Sequence, residues 1–362
     1  MPQAFKIDLF SDTNTNPSQE MRAFMCQAEV GNEVAGEDPT VNHLLDKICD
    51  LLGKEKAIFL PSGTMCNGIA YRALCKRPGD TIILDKTAHP LHKAAGLMAG
   101  LVQAIPYVIE GERGIFSASQ IEPILACSKG YNLSFPRVIS IEQTTNFGGG
   151  AIWPFQTLKE VCNLAHHHQA YTHLDGARLM NAVVETQIPA AQYAQLFDSV
   201  WIDFSKSLGA PMGAALAGSK EFIEEAWYYK FQQGGGMHKA GILAAGCLYA
   251  LDHNLEKLKD IHLKAKRLAS LLSNIPFIII NPAHVETNIV CFKINHSNLN
   301  AYDFEFLLYE RGIRVLALNE KTIRAIIHLD ITDADIEEVY QTLESVVCNS
   351  EGKNVTARSE ER

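Results

Sequence analysis

A repeated alternation of short apolar runs with helical patterns constrains this chain more than any other feature. AIFLP is followed by SGT and then by a helical pattern from Met65 to Cys75. TIILD precedes a second helical pattern around 89–98. VQAIPYVI, RVISIEQ, AYTHLD and SVWIDF continue the series, and patterns such as PFQTLKEVCNLAHHHQ lie between several of them. Runs that are apolar at successive positions are strands buried on both faces, which requires helical crossovers covering both sides. The pattern predicts an α/β chain with a mainly parallel central sheet. AALAGS follows Lys206 after only a short Gly-Pro turn, so it reads as an antiparallel neighbour.

Elsewhere the rhythm changes. Residues 1–40 are rich in turn formers and read as an ordered arm and loop. Val41, Leu44, Leu45, Ile48, Leu51 and Leu52 recur at helical spacing before a capping Gly53. A long helical stretch covers 238–273. IPFIII, NIVCFKI and TIRAIIHL then alternate with DFEFLLYERG and DADIEEVYQTLESVV, as in a small α+β domain. The chain of 362 residues therefore divides into an arm at 1–40, a large domain at 41–255, a smaller C-terminal domain at 256–348 and a polar, disordered tail at 349–362.

A formal charge of −9 with no basic stripe argues against a nucleic-acid partner. The nine cysteines have irregular spacing and no C-x-x-C pair, so they read as reduced thiols. MPQAFKIDLF lacks a signal peptide's charged and apolar regions, and no window offers roughly 18 uncharged apolar residues for a membrane span. The expectation is a soluble, cytoplasmic protein without membrane partners.

In open α/β sheets ligands bind beyond the carboxyl ends of the strands, and four groups of polar residues fall there. Lys206 follows SVWIDF; partial burial would favour Schiff-base chemistry, whereas the plain alternative is a lysine that begins an exposed loop. Asp175 ends AYTHLD, with Arg178 three residues on; it can hold a cationic ring nitrogen or simply cap a helix. Ser62, Gly63 and Thr64 offer backbone N–H groups to a phosphate, or form an ordinary strand-to-helix turn. His89 could stack on a planar ring or merely start a helix. His166, His167 and His168 are consecutive and point different ways around a helix, so together with His173 they do not make a metal site, and none is expected.

The order of phosphate turn, histidine, aspartate and lysine is that of pyridoxal-phosphate enzymes with the aspartate-aminotransferase type of fold. More closely, the chain resembles the threonine aldolases, a group related to β-eliminating lyases. The resembling stretches are DLFSDTNTNPSQEMR, GEDPTVNHL, LLGKEKAIFLPSGTMCN, AHPLH, GGGAIWP, HLDGARLMNA, FSKSLGAPMGAALAGS, GGGMHKAGILAA, VETNIVCF and IRAIIHLD, spanning about residues 7 to 331.

The resemblance implies that Lys206 carries pyridoxal 5'-phosphate, with Ser205 beside it. Asp175 would pair with the pyridine nitrogen, and Arg178 would sit near the ring hydroxyl and the substrate. Ser62, Gly63 and Thr64 would hold the phosphate and His89 would stack on the ring. Ser11 and Arg324 would bind the amino acid's carboxylate, with Thr145 near its hydroxyl. A homotetramer built as a dimer of dimers is also implied. The reaction would cleave β-hydroxy-α-amino acids to glycine and an aldehyde; the alternative is a β-eliminating lyase acting on another amino acid. Some positions depart from the family pattern. Ala35 stands for a tyrosine, Thr145 for a histidine, Ala94 for a glutamate and His238 for an arginine. If Ala35, Ala94 and Thr145 line the substrate side, the pocket is wider and less basic there.

Overall fold

The structure is a computed structural model and describes residues 5–126 and 130–350. These divide into two units, one of Asn16–Glu256 and one made of the residues up to Thr15 together with those from Lys257 onward. The segment read as an arm is thus shared out. Strand β1 (Ile7–Asp8) belongs to the second unit, whereas helix α1 (Gln19–Cys26), capped by the Ser18 hydroxyl, belongs to the first. A two-residue strand and an eight-residue helix are too short to show a period in sequence.

In the first unit, helix α2 (Pro39–Leu52) starts at the Asp38 carboxylate and ends at Gly53, whose φ of +60° suits glycine. A seven-stranded sheet follows: β2 (Lys56–Leu60), β3 (Thr81–Asp85), β4 (Ile105–Ile109), β5 (Pro136–Glu142), β6 (Tyr171–Gly176), β7 (Ser199–Asp203) and β8 (Ala214–Gly218). Its spatial order is β2-β8-β7-β6-β5-β3-β4. Strand β8, the AALAGS run, is antiparallel to both β2 and β7, while β7, β6, β5, β3 and β4 pair in parallel. Strands β3, β7 and β8 are buried at every position, which is why their sequences do not alternate. Helix α3 (Gly63–Leu74) packs on β6, β7 and β8.

Two helical expectations change. The pattern at 89–98 becomes helix α4 (His89–His92) and a separate π-type turn at Met98–Val102, because Ala95 and Gly96 both take positive φ. The stretch at 238–273 is two helices, Gly241–His253 and Leu258–Leu272, parted at Asn254, whose side chain donates to the Leu208 carbonyl.

The second unit holds an antiparallel sheet of order β12-β13-β10-β9, formed by β9 (Ile278–Ile279), β10 (Ile289–Ile294), β12 (Leu316–Asn319) and β13 (Thr322–Ile326). Strand β11 (Ile313–Arg314) pairs in parallel with β1. Of the run IPFIII only β9 is extended, after a positive φ at Phe277. The last helix runs from Asp333 to Ser350, past the expected boundary at 348, and the remainder of the expected tail lies outside the described residues. No described helix is long and apolar enough to cross a membrane.

Candidate active site

Lys206 lies three residues beyond the end of β7, where Asp203 turns the chain. Asp203 Oδ1 accepts from the Ser205 backbone N–H and from its hydroxyl, both at 2.7 Å, an Asx turn that folds the loop back. Asp203 Oδ2 is 3.1 Å from Lys206 Nζ, and that amine stands 5.6 Å from the centre of the Trp201 ring. The lysine side chain is only 17% exposed. It is therefore a held amine over an indole and not a solvated loop start.

Asp175 is the last residue but one of β6 and is 2% exposed. Its Oδ2 accepts from Asn67 Nδ2 at 2.7 Å, and its Oδ1 from the Ala177 N–H at 3.1 Å. The following helix begins at Leu179, with Arg178 at its cap position, so Asp175 does not cap it. Behind Asp175, Asn67 Oδ1 accepts from the Trp201 indole at 2.7 Å and contacts His173 Nε2 at 2.9 Å, while His173 Nδ1 is 2.7 Å from Ser199 Oγ. Strand geometry explains the cluster. His173 and Asp175 share one face of β6, Ser199 and Trp201 share one face of β7, and the register sets His173 opposite Ser199 and Asp175 opposite Trp201. Burial alone pushes the His173 imidazole down to about 3, so it is neutral.

His89 opens α4. Burial draws its imidazole below the ordinary range; Asp175 and Asp203 oppose this, and Lys206 and Arg178 reinforce it. All four charges thus act on one imidazole. Arg178 is buried, and its backbone N–H donates to the Gln143 carbonyl at 3.2 Å. Glu142, at the end of β5 and in register with Asp175, is pushed up to about 8, chiefly by burial and then by the Asp175 charge, although the His89 backbone N–H donates to it.

The Ser62 hydroxyl accepts from the Met65 N–H at 3.3 Å and so caps α3. Gly63 is required by packing, since a Cβ there would lie 2.1 Å from Trp201 Cη2. Gly63 and Thr64 head a twelve-residue helix, where exposed N–H groups and the helix dipole favour an anion.

In the other unit, Ser11 Oγ accepts from the Thr13 N–H and hydroxyl at 3.2 and 2.9 Å. Arg324, buried on β13, donates from Nη2 to the Phe10 carbonyl at 3.2 Å, which places its guanidinium beside the Ser11 segment. Thr145 is buried, and its hydroxyl oxygen accepts from the Ala151 N–H at 3.0 Å. Ala94, expected on the substrate side, instead packs in an apolar cluster with Tyr71, Leu97 and Met98. The backbone carbonyl of His238 accepts from the Glu33 N–H, and the Glu33 carboxylate pairs with buried Lys230. His166 contacts Asp198 at 3.1 Å.

Nothing in the sequence alone marks Asn67, Trp201, Asp203 or Glu142, and His173 stands out there only as part of a histidine group. The one available signal was the H-x-D spacing, which puts both side chains on one face of a strand. A primary amine, a carboxylate fixed by two N–H donors, an imidazole and a helix N-terminus are the donor set that pyridoxal phosphate needs. Glu142 Oε2, Gln143 Nε2 and Thr144 Oγ1, on consecutive buried residues, have no hydrogen-bond partner among the described residues, as expected where a polar ligand group seats.

Comparison with known proteins agrees. The chain is 37% identical over 334 residues to low-specificity L-threonine aldolase 1 of Arabidopsis thaliana, covering 91% of this chain and 93% of that protein. It is 34% identical over 335 residues to the low specificity L-threonine aldolase of Escherichia coli K12, covering 92% and 97%. Among solved structures, the Leishmania major threonine aldolase superposes with a TM-score of 0.80 at 19% identity, over 94% of this chain and 99% of that one. A Sphingomonas wittichii serine palmitoyltransferase reaches 0.75 at 17% identity, over 95% and 88%, a likeness of fold. The family profile for beta-eliminating lyases matches residues 8–295, and with relatives this similar along nine-tenths of its length the chain belongs to the beta-eliminating lyase family, in its threonine aldolase group.

Proposed function

We propose that this chain is a pyridoxal 5'-phosphate-dependent lyase that cleaves β-hydroxy-α-amino acids, threonine among them, to glycine and an aldehyde. The observation that carries this reading is the placing of Lys206, 3.1 Å from Asp203, and of Asp175, fixed by two N–H donors, at neighbouring strand ends, with the half-buried His89 within reach of their charges. Lys206 would bind the cofactor covalently, Asp175 would hold its ring nitrogen, Arg178 its ring hydroxyl, and Ser62, Gly63, Thr64 and Ser205 its phosphate. Bound there, the cofactor supplies an electron sink for the bond that breaks.

The protein's own residues do the rest. Arg324 and Ser11 are proposed to hold the substrate carboxylate, which fixes the direction of the Cα–Cβ bond. His89, kept neutral by burial, can stack on the ring and can accept a proton at neutral pH. His92 is worse placed for that task, because its Nε2 bonds the Lys86 carbonyl at 2.6 Å. Thr145 can orient the substrate hydroxyl but is a poor base. The family resemblance supports a cytoplasmic homotetramer built as a dimer of dimers.

The test is product analysis of the purified protein on threonine, allo-threonine and phenylserine, together with borohydride trapping and peptide mapping. Glycine with an aldehyde, and a label on Lys206, are expected. A keto acid product would instead indicate β-elimination, and a label on another lysine would remove the assignment of Lys206.

A further inference from the structure

We propose that Asn67 is a positioning residue for the cofactor ring: its side-chain amide holds the Asp175 carboxylate in place and can face it in only one orientation. The inference rests on the functional reading above, because it takes Asp175 to be the partner of the ring nitrogen.

The orientation follows from chemistry. An indole N–H can only donate. The Asn67 atom 2.7 Å from Trp201 Nε1 must therefore be the carbonyl oxygen, which leaves Nδ2 to donate to Asp175 Oδ2 at 2.7 Å. The same carbonyl oxygen meets His173 Nε2 at 2.9 Å. It cannot donate, so Nε2 carries the proton, and Nδ1 accepts from the Ser199 hydroxyl 2.7 Å away. All of these contacts are buried. Turning the amide over would set its oxygen against the Asp175 carboxylate and its NH2 against the indole N–H, two repulsive contacts in a low-dielectric interior.

The placement of Asn67 adds a second consequence. It sits on α3, one helical turn beyond Gly63, and a side chain at Gly63 would collide with the Trp201 ring that locks the amide. One helix therefore carries both the proposed phosphate turn and the residue that grips Asp175, and one tryptophan packs against both.

The experiment measures equilibrium binding of pyridoxal 5'-phosphate to full-length apoprotein by absorbance, between about pH 6 and 9, for wild type, Asn67→Asp and Trp201→Phe, with apoprotein melting alongside. Asn67→Asp sets two carboxylates face to face, and such a pair must share a proton. Its Kd should be weaker than wild type by about tenfold or more, the scale of a lost charge-assisted hydrogen bond, and should weaken further as pH rises. Trp201→Phe removes the lock and keeps a ring; its Kd should weaken by roughly threefold to tenfold without the added pH dependence. A folded Asn67→Asp protein with wild-type Kd and wild-type pH response would overturn the proposal. If that variant does not fold, Trp201→Phe decides, and an unchanged Kd there refutes it. Wild type that takes up no cofactor would refute the functional reading itself, and this inference with it; wild type that binds while both variants match its Kd refutes only the role of Asn67.

Discussion

At the end of β6, both Asp175 oxygens accept hydrogen bonds, and behind them Asn67, His173, Ser199 and Trp201 satisfy one another. At the end of β5, one strand over, Glu142, Gln143 and Thr144 each leave a buried polar atom without a partner among the described residues. Each such atom costs about 1–3 kcal/mol. A fold that completes one strand end and leaves its neighbour incomplete is separating two tasks. The β6 end is a frame that stands before any ligand arrives. The β5 end is proposed to be the receiving side, where polar atoms are matched only in the complex.

Asp175→Ala should give the largest effect. It removes the acceptor for Asn67 Nδ2 and for the Ala177 N–H, so the apoprotein should lose about 1–3 kcal/mol. It also removes the proposed partner of the ring nitrogen, and kcat should fall by roughly 10²–10³-fold, the scale for one preorganised electrostatic partner. Calorimetry of apoprotein and turnover of threonine measure the two parts. An apoprotein as stable as wild type would mean that the β6 end is no finished frame.

The two strand ends should also respond oppositely to pH. His173 is pushed from 6.5 to about 3 in the folded protein. Below its unfolded value the unfolded chain binds the extra proton, so this contribution to stability is complete above pH 6.5 and is lost as pH falls toward 3. Glu142 is pushed from 4.5 to about 8, so its contribution is complete below pH 4.5 and is lost as pH rises through 8. His173→Gln should flatten the acid side of the stability profile, and Glu142→Gln the alkaline side, each by at least about 1 kcal/mol, the worth of a single pKa unit. Chemical denaturation of apoprotein across pH measures both slopes. A Glu142→Gln profile that still falls from pH 5 to 8 as steeply as wild type would show that Glu142 is not the group that titrates.

What the sequence made legible follows the same division. The strand rhythm exposed β2, β3, β5, β6 and β7, because strands buried on both faces advertise themselves as unbroken apolar runs. The strand ends then brought forward Lys206, Asp175 and His89. Asn67 stayed hidden because it lies inside an otherwise ordinary helix, and its value depends on which strands that helix crosses. Trp201 reads as one more apolar residue in SVWIDF until the β6–β7 register sets it opposite Asp175. Glu142 closes RVISIEQ without any pattern that would separate a buried carboxyl from a solvated one. Gly63 suits a phosphate turn in the sequence, yet the firm requirement for glycine there is the Trp201 ring. Local patterns reported the elements; helix-on-sheet packing and strand register determined the site.

Thr144→Val should give the smallest change and the finest discrimination between the two strand ends. The substitution keeps the branched shape of the side chain and deletes a hydroxyl that has no partner among the described residues. In the apoprotein that hydroxyl has lost its water without a replacement, so removing it should be neutral or stabilising by up to about 1 kcal/mol. In the complex the expectation reverses. A hydroxyl that bonds the ligand only when the ligand is present is worth about 0.5–1.5 kcal/mol, so the variant should bind pyridoxal 5'-phosphate, or turn over threonine, a few-fold less well. The informative result is the pair of signs, apoprotein stability up and ligand affinity or turnover down, because no substitution in the completed β6 network should produce it. If stability rises while cofactor binding and turnover both match wild type, the Thr144 hydroxyl is a buried mismatch with no ligand role. The receiving side would then rest on Glu142 and Gln143 alone.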